Sequence, residues 1–212
     1  MSEKALHRSA TRPRRFRLRV LLSLGLLVGC GATITLASWN TNFNAAGTFT
    51  SSTFGIQESV NGSSYVNVTS GSGTTFTLGG AFSPGMAQYF PVSLQTTPNS
   101  IAGTATLQAA TLGGANPTTL GTALTYSVVQ TTGSCNASAF TSSANYIVGS
   151  YTTQAPLTTG AAGPVQLAAA TSNASGAPTG FCFQMVLPAN APNSLQGQSA
   201  TATWQFTAVS SN

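Results

Sequence analysis

Along this chain the apolar side chains return at every second position, and turn-forming residues break the pattern at short intervals, as in strands rather than helices. Thr48 to Gln57 carries Phe49, Phe54 and Ile56. Tyr65 to Thr69 is a short β-rich run between Asn61-Gly62 and Gly71-Ser72-Gly73, and Thr74 to Leu78 follows with Phe76 and Leu78 on one face. Pro84-Gly85 supplies the two central residues of a type II turn. Tyr89 to Gln95 sets Phe90, Val92 and Leu94 on one side. Pro91 between them predicts an edge strand or a bulge, because proline has no N–H to give a ladder.

The later runs are of the same kind. Thr104 to Leu112 holds Ala105, Leu107 and Ala109 in phase, and Ala123 to Gln130 alternates Leu124, Tyr126 and Val128. Asn145 to Tyr151 and Val165 to Ala169 are weaker strands. Phe181, Phe183, Met185 and Leu187 alternate with Cys182 on the opposite face, and Ala200, Ala202, Trp204, Phe206 and Ala208 close the chain. Thr152 to Gly163 has no pattern and reads as a surface loop. Nine or ten short strands separated by Gly, Pro, Asn and Ser predict an all-β fold, a single β-sandwich of the jelly-roll kind over residues 48–212.

The first forty residues break this pattern. All seven basic residues lie between Lys4 and Arg19, followed by the apolar run Val20 to Val28, far short of the roughly 20 residues of a membrane-spanning helix. Small residues then lead to Thr35-Leu36-Ala37. The layout is that of a secretory signal over 1–37, cleaved between Ala37 and Ser38. Leu27-Val28-Gly29-Cys30 also fits a lipobox, in which Cys30 would carry lipid, so cleavage at Ala37 and lipidation at Cys30 are competing expectations. Arg14-Arg15-Phe16 is a twin-arginine pair without the rest of that motif.

This division reverses the meaning of the formal net charge of +5. Beyond Ala37 there is no Lys, Arg, His or Asp, and Glu58 is the single charged side chain. A body without cations cannot neutralise phosphates, which excludes nucleic acid as a partner. Its high apolar content with almost no charge is the opposite of a disordered composition. Acid–base catalysis, zinc and calcium sites and paired-carboxylate glycosidase chemistry each need several groups that this region lacks. The expectation is a non-enzymatic protein without cofactor or metal. Glu58 reads as a solvated charge near a strand end, and Trp204 as core. Four Asn-x-Ser/Thr matches, at Asn61, Asn67, Asn136 and Asn173, read as chance in a Ser/Thr-rich chain. Cys135 and Cys182 form an even pair after export, and a disulfide between them is expected.

Leu36-Ala37-Ser38-Trp39-Asn40, then Ala46-Gly47-Thr48-Phe49 and Ser52-Thr53-Phe54-Gly55-Ile56, resemble the opening of the TasA/camelysin-type family of secreted bacterial proteins. Phe82-Ser83-Pro84-Gly85 leading into Pro91-Val92-Ser93-Leu94, and Ala202-Thr203-Trp204-Gln205-Phe206 at the end, resemble that family's Pro-Gly turn and closing strand. Asn40-Thr41 departs from the family, which carries an acidic residue after the Asn. The resemblance implies a jelly-roll sandwich exported through a dedicated signal peptidase. It further implies self-association by strand addition into biofilm-matrix fibres, with residues 38–47 as donor strand. Metalloendopeptidase activity, attached to some relatives, has no residues here to support it. The alternative expectation is a monomeric cell-surface adhesion module, lipid-anchored if Cys30 is modified.

Overall fold

The computed structural model describes residues 53–68, 74–78 and 81–211. Their strands, in chain order, are β1 (Ile56–Val60), β2 (Val66–Asn67), β3 (Thr74–Leu78), β4 (Ala87–Thr96), β5 (Gly103–Leu107) and β6 (Thr111–Gly113). After one helical turn, α1 (Leu120–Ala123), come β7 (Thr125–Gln130), β8 (Asn145–Val148), β9 (Ala155–Pro156), β10 (Val165–Leu167), β11 (Thr179–Val186) and β12 (Thr201–Ser210). A seven-stranded sheet runs β2-β1-β4-β11-β7-β8, with β9 also on β7. A five-stranded sheet runs β10-β5-β12-β3, with β6 also on β12. Every pairing between these strands is antiparallel. The fold is the expected all-β sandwich.

The alternation read from the sequence is what fills the space between the sheets. Phe90, Val92 and Leu94 of β4, Phe181, Phe183 and Met185 of β11, and Tyr126 and Val128 of β7 point inward from the larger sheet. Leu107, Leu167, Trp204 and Phe206 face them from the smaller one. Trp204 is fully buried, its ring centroid 5.5 Å from Tyr126 and 5.7 Å from Phe183, while Phe181 and Phe206 meet at 4.9 Å. The aromatic pairs thus join the sheets in tilted and edge-on geometries, not face to face.

Several expectations need correcting. Pro91 lies in β4, which is an interior strand between β1 and β11. Its carbonyl accepts from Asn61 N at 2.8 Å, so the missing proton of residue 91 falls on the β1 side, where β1 has already ended in the Asn61-Gly62 turn. On its other side Pro91 faces Cys182 and forfeits no ladder bond. Among the described residues the first strand begins at Ile56, so Phe54 precedes it and packs against the core from a loop, while residues 48–52 lie outside the described residues. Thr104 to Leu112 is two strands, β5 and β6, on successive stretches of β12. The phase breaks between them, leaving Ala109 exposed and Ala110 buried. Within the supposed surface loop 152–163, β9 pairs with β7, and Leu157 is buried with its carbonyl accepting from Ala110 N. Glu58 is the central residue of β1, half-buried opposite Leu94 and Val66, not a solvated charge at a strand end. Pro84-Gly85 does form its turn, closed by Met86 N to Ser83 O at 3.0 Å.

One buried titratable group gives the core a pH signature. Tyr126 donates its hydroxyl to Thr159 O, and burial pushes the phenol up to about 12, against a smaller opposing effect of the Trp204 indole. Above pH 10 the unfolded chain gives up this proton first, so stability falls as pH rises from 10 to about 12, by roughly 2–3 kcal/mol from this group. With no His, Lys, Arg or Asp among residues 53–211 and both cysteines bonded, stability is expected to be nearly flat from about pH 7 to 9. Denaturant midpoints measured across pH check both statements, and Tyr126→Phe should remove most of the alkaline decline.

Candidate functional site

The outer face of the seven-stranded sheet concentrates the neutral polar and aromatic side chains that the core does not use. Because successive residues point to opposite faces, the positions between Phe90, Val92 and Leu94 present Tyr89, Pro91, Ser93 and Gln95 outward. Gln57 Nε2 donates to Asn67 Oδ1 at 2.7 Å, while Gln57 Oε1 accepts from Gln95 Nε2 at 2.8 Å and Ser175 Oγ at 3.1 Å. Nearer the other end, Thr125 Oγ1 donates to Gln154 Oε1 at 2.8 Å, Gln154 Nε2 to Gln184 Oε1, and Gln184 Nε2 to the Tyr89 hydroxyl at 3.3 Å.

Across this face lies the connection from β7 to β8. Cys135 in that connection is bonded to Cys182 of β11, as expected, with the two Cα atoms 5.1 Å apart. Phe140 then inserts between Tyr89 and Tyr146, with ring centroids 5.8 and 6.2 Å away. Ser127, Val129 and Cys182 of the outer face are buried, Val129 paired with Cys182 and Ser127 under the turn at Gly149. Asn136, one of the sequon matches, has a local role: its Oδ1 accepts from Ser138 N at 2.9 Å and caps the 3₁₀ turn Ala137–Ala139.

Between the Cys135 loop and the β1–β2 hairpin a cleft of about 320 Å³ opens. One wall is the tight turn at Asn61 and Gly62, both at positive φ (54° and 73°), with Ser63 N bonded to Val60 O at 3.1 Å. Tyr65 leans from it over β4, its hydroxyl 2.7 Å from Ser93 Oγ. The other wall is Thr131 to Cys135, held down by Thr131 N to Gly180 O at 2.9 Å. A Cβ at residue 180 would lie 2.4 Å from Thr131 O, so only glycine lets this wall close onto β11. Pro91, Pro178 and Gly180 line the cleft between the walls.

A second, apolar groove of about 280 Å³ lies at the end of the sandwich where β4 begins, lined by Phe82, Leu120, Leu187 and Leu195. Thr53, the first described residue, pairs in parallel with Ser100 near the other end, where β4 stops.

Among the described residues no three His, Cys, Asp or Glu side chains come together as a metal-binding group. The groups that meet in the cleft are hydroxyls, a phenol, proline rings and a disulfide, a set that can form neutral hydrogen bonds and apolar contacts. Ala37, Ser38 and Cys30, and the segment 38–47, lie outside the described residues. No protein-family model, curated protein or solved structure matches this chain. Sequence reasoning missed Tyr65, Thr131 and Phe140 as functional positions. Phe140 sits in a stretch without strand period, and only its distance from the nearest alternating run distinguishes it from a core residue. The Asn61-Gly62 pair was the one readable signal, since it marks the hairpin turn that carries Tyr65.

Proposed function

We propose that this chain is an exported, non-catalytic extracellular structural protein of the TasA/camelysin type, a jelly-roll subunit that self-associates by strand addition. The observation that carries the reading is the character of the sheet edges. Among the described residues β3 and β10 end the five-stranded sheet and β2 lies at one edge of the larger one. Their sequences, TTFTL, VQL and VN, hold none of the lysines, and only β9 of the outer strands holds the proline, with which soluble proteins commonly protect such edges. A body almost without charge also does little to oppose association.

The polarity of the sandwich suits head-to-tail growth. The described chain starts near one end at Thr53, and the apolar groove of Phe82, Leu120 and Leu195 lies at the other. In such growth residues 38–47 of one copy would engage the next. A disulfide joining Cys135 and Cys182 accords with an oxidising extracellular setting, and no helix among the described residues is long and apolar enough to cross a membrane.

Sedimentation velocity of residues 38–212 over a concentration series tests the assembly. Large species that grow with concentration, and that disappear when residues 38–47 are deleted, are the expected result. A single species of one chain's mass at every concentration would instead favour a monomeric adhesion module. Intact mass of the native protein, beginning at Ser38 without an acyl group, tests the export route against lipidation at Cys30.

A further inference from the structure

We propose that the cleft between the β1–β2 hairpin and the disulfide-bonded Cys135 loop is a binding site for a neutral saccharide. This goes beyond self-assembly and does not depend on it. A sugar ring has apolar C–H faces and a rim of hydroxyls that each donate and accept. The cleft offers the same pairing in reverse: the ring of Tyr65, about one-third exposed at 37 %, with Pro91 and Pro178, and the hydroxyls of Ser93, Thr131 and Thr132 around them. Its volume of about 320 Å³ is at the lower end of small-ligand sites and matches a mono- or disaccharide unit.

Residues 53–211 contain no Lys, Arg, His or Asp, so the cleft has no cation to hold a phosphate, sulfate or uronate and no carboxylate set to bridge a sugar through calcium. Among saccharides this selects uncharged ones. The backbone of the cleft suits a sugar better than a peptide. The main-chain groups beneath the cleft are engaged in the β4–β11 and β11–β7 ladders, and Thr131 N is bonded to Gly180 O, so an extended peptide finds no strand edge there. The polar side chains that line the cleft are all hydroxyls, those of Ser59, Tyr65, Ser93, Thr131 and Thr132.

The walls are preorganised on both sides. The Tyr65–Ser93 hydrogen bond orients the phenol, and the disulfide fixes the facing loop, so little ordering is left for the ligand to offset.

The test is an NMR titration of the isotope-labelled full chain with a panel of neutral oligosaccharides of glucose, mannose, galactose and N-acetylglucosamine. Sulfated and uronate oligosaccharides and a proline-rich peptide serve as comparisons. Expected are shifts at Tyr65, Ser93, Thr131–Gly133 and Gly180 with at least one neutral sugar, Kd in the ~0.1–1 mM range, and no weakening by salt. Tyr65→Ala is expected to weaken binding about tenfold and Thr132→Val, on the opposite wall, about threefold, whereas Tyr151→Ala, on an exposed aromatic that does not line the cleft, should change nothing. Both cleft positions are exposed, so their folds are checked by an unchanged denaturant midpoint. No neutral sugar shifting these amides at about ten times that concentration range overturns the proposal. So does binding unchanged in both cleft variants, or binding confined to the charged sugars or the proline-rich peptide.

Discussion

Replacing Cys135 by serine and Cys182 by alanine together is expected to lower stability by about 4 kcal/mol on the loop-entropy model, since the bond joins residues 47 apart. The structure says where the loss will be felt. Cys182 lies in the middle of β11, held on both sides by β4 and β7, so its own strand will remain in register. The Cys135 side has far less to hold it. The connection around it has one short 3₁₀ turn, the Asn136 cap and the contacts of Phe140 with Tyr89 and Tyr146. Hydrogen exchange should therefore quicken across residues 131–144 while β7 and β11 stay protected. A drop in the denaturant midpoint worth less than about 1 kcal/mol, with residues 131–144 still protected, would show that Phe140 and its aromatic neighbours hold the cover without the bond.

How much of this was legible beforehand depended on where the physics was local. The inward residues of β4, β7, β11 and β12 were readable because a strand buried on one face enforces strict alternation, and each of these runs kept it. The disulfide was readable because the region beyond residue 37 has two cysteines and no competing use for them. Pro91 was misread because its cost is set by a neighbour. The same proline would break a ladder if β1 continued past Val60, and it costs little because the Asn61-Gly62 turn removes the partner. Leu157 and Ala110 were missed for a similar reason. They are buried by a carbonyl–amide bond between two irregular segments, and no periodicity records such a contact. The cleft was beyond sequence reading altogether. Tyr65, Ser93 and Thr131 come from three separate stretches, and only the strand order β1-β4-β11-β7 places them around one opening.

Trp204→Ala is expected to cost roughly 3–5 kcal/mol, comparable to losing the disulfide but acting entirely through the core. Trp204 sits on β12, which the five-stranded sheet surrounds with β3 on one side and β5 and β6 on the other, so the backbone there cannot collapse into the space left. The rings opposite, Tyr126 and Phe183, are themselves fully buried and anchored on the two adjacent central strands of the larger sheet. A cavity bounded by two paired sheets relaxes poorly, which places the effect toward the upper part of that range. Trp204→Phe, which keeps an apolar ring, should cost distinctly less and serves as the control for shape. Denaturant midpoints of both variants decide between two roles for this residue. A loss of several kcal/mol in the alanine variant, with saccharide binding at the Tyr65 cleft unchanged in the phenylalanine variant, assigns the indole to the core. A loss below about 1 kcal/mol would mean that the indole is not what joins the two sheets, and the aromatic contacts across the sandwich would then have to be credited to Phe181 and Phe206 instead.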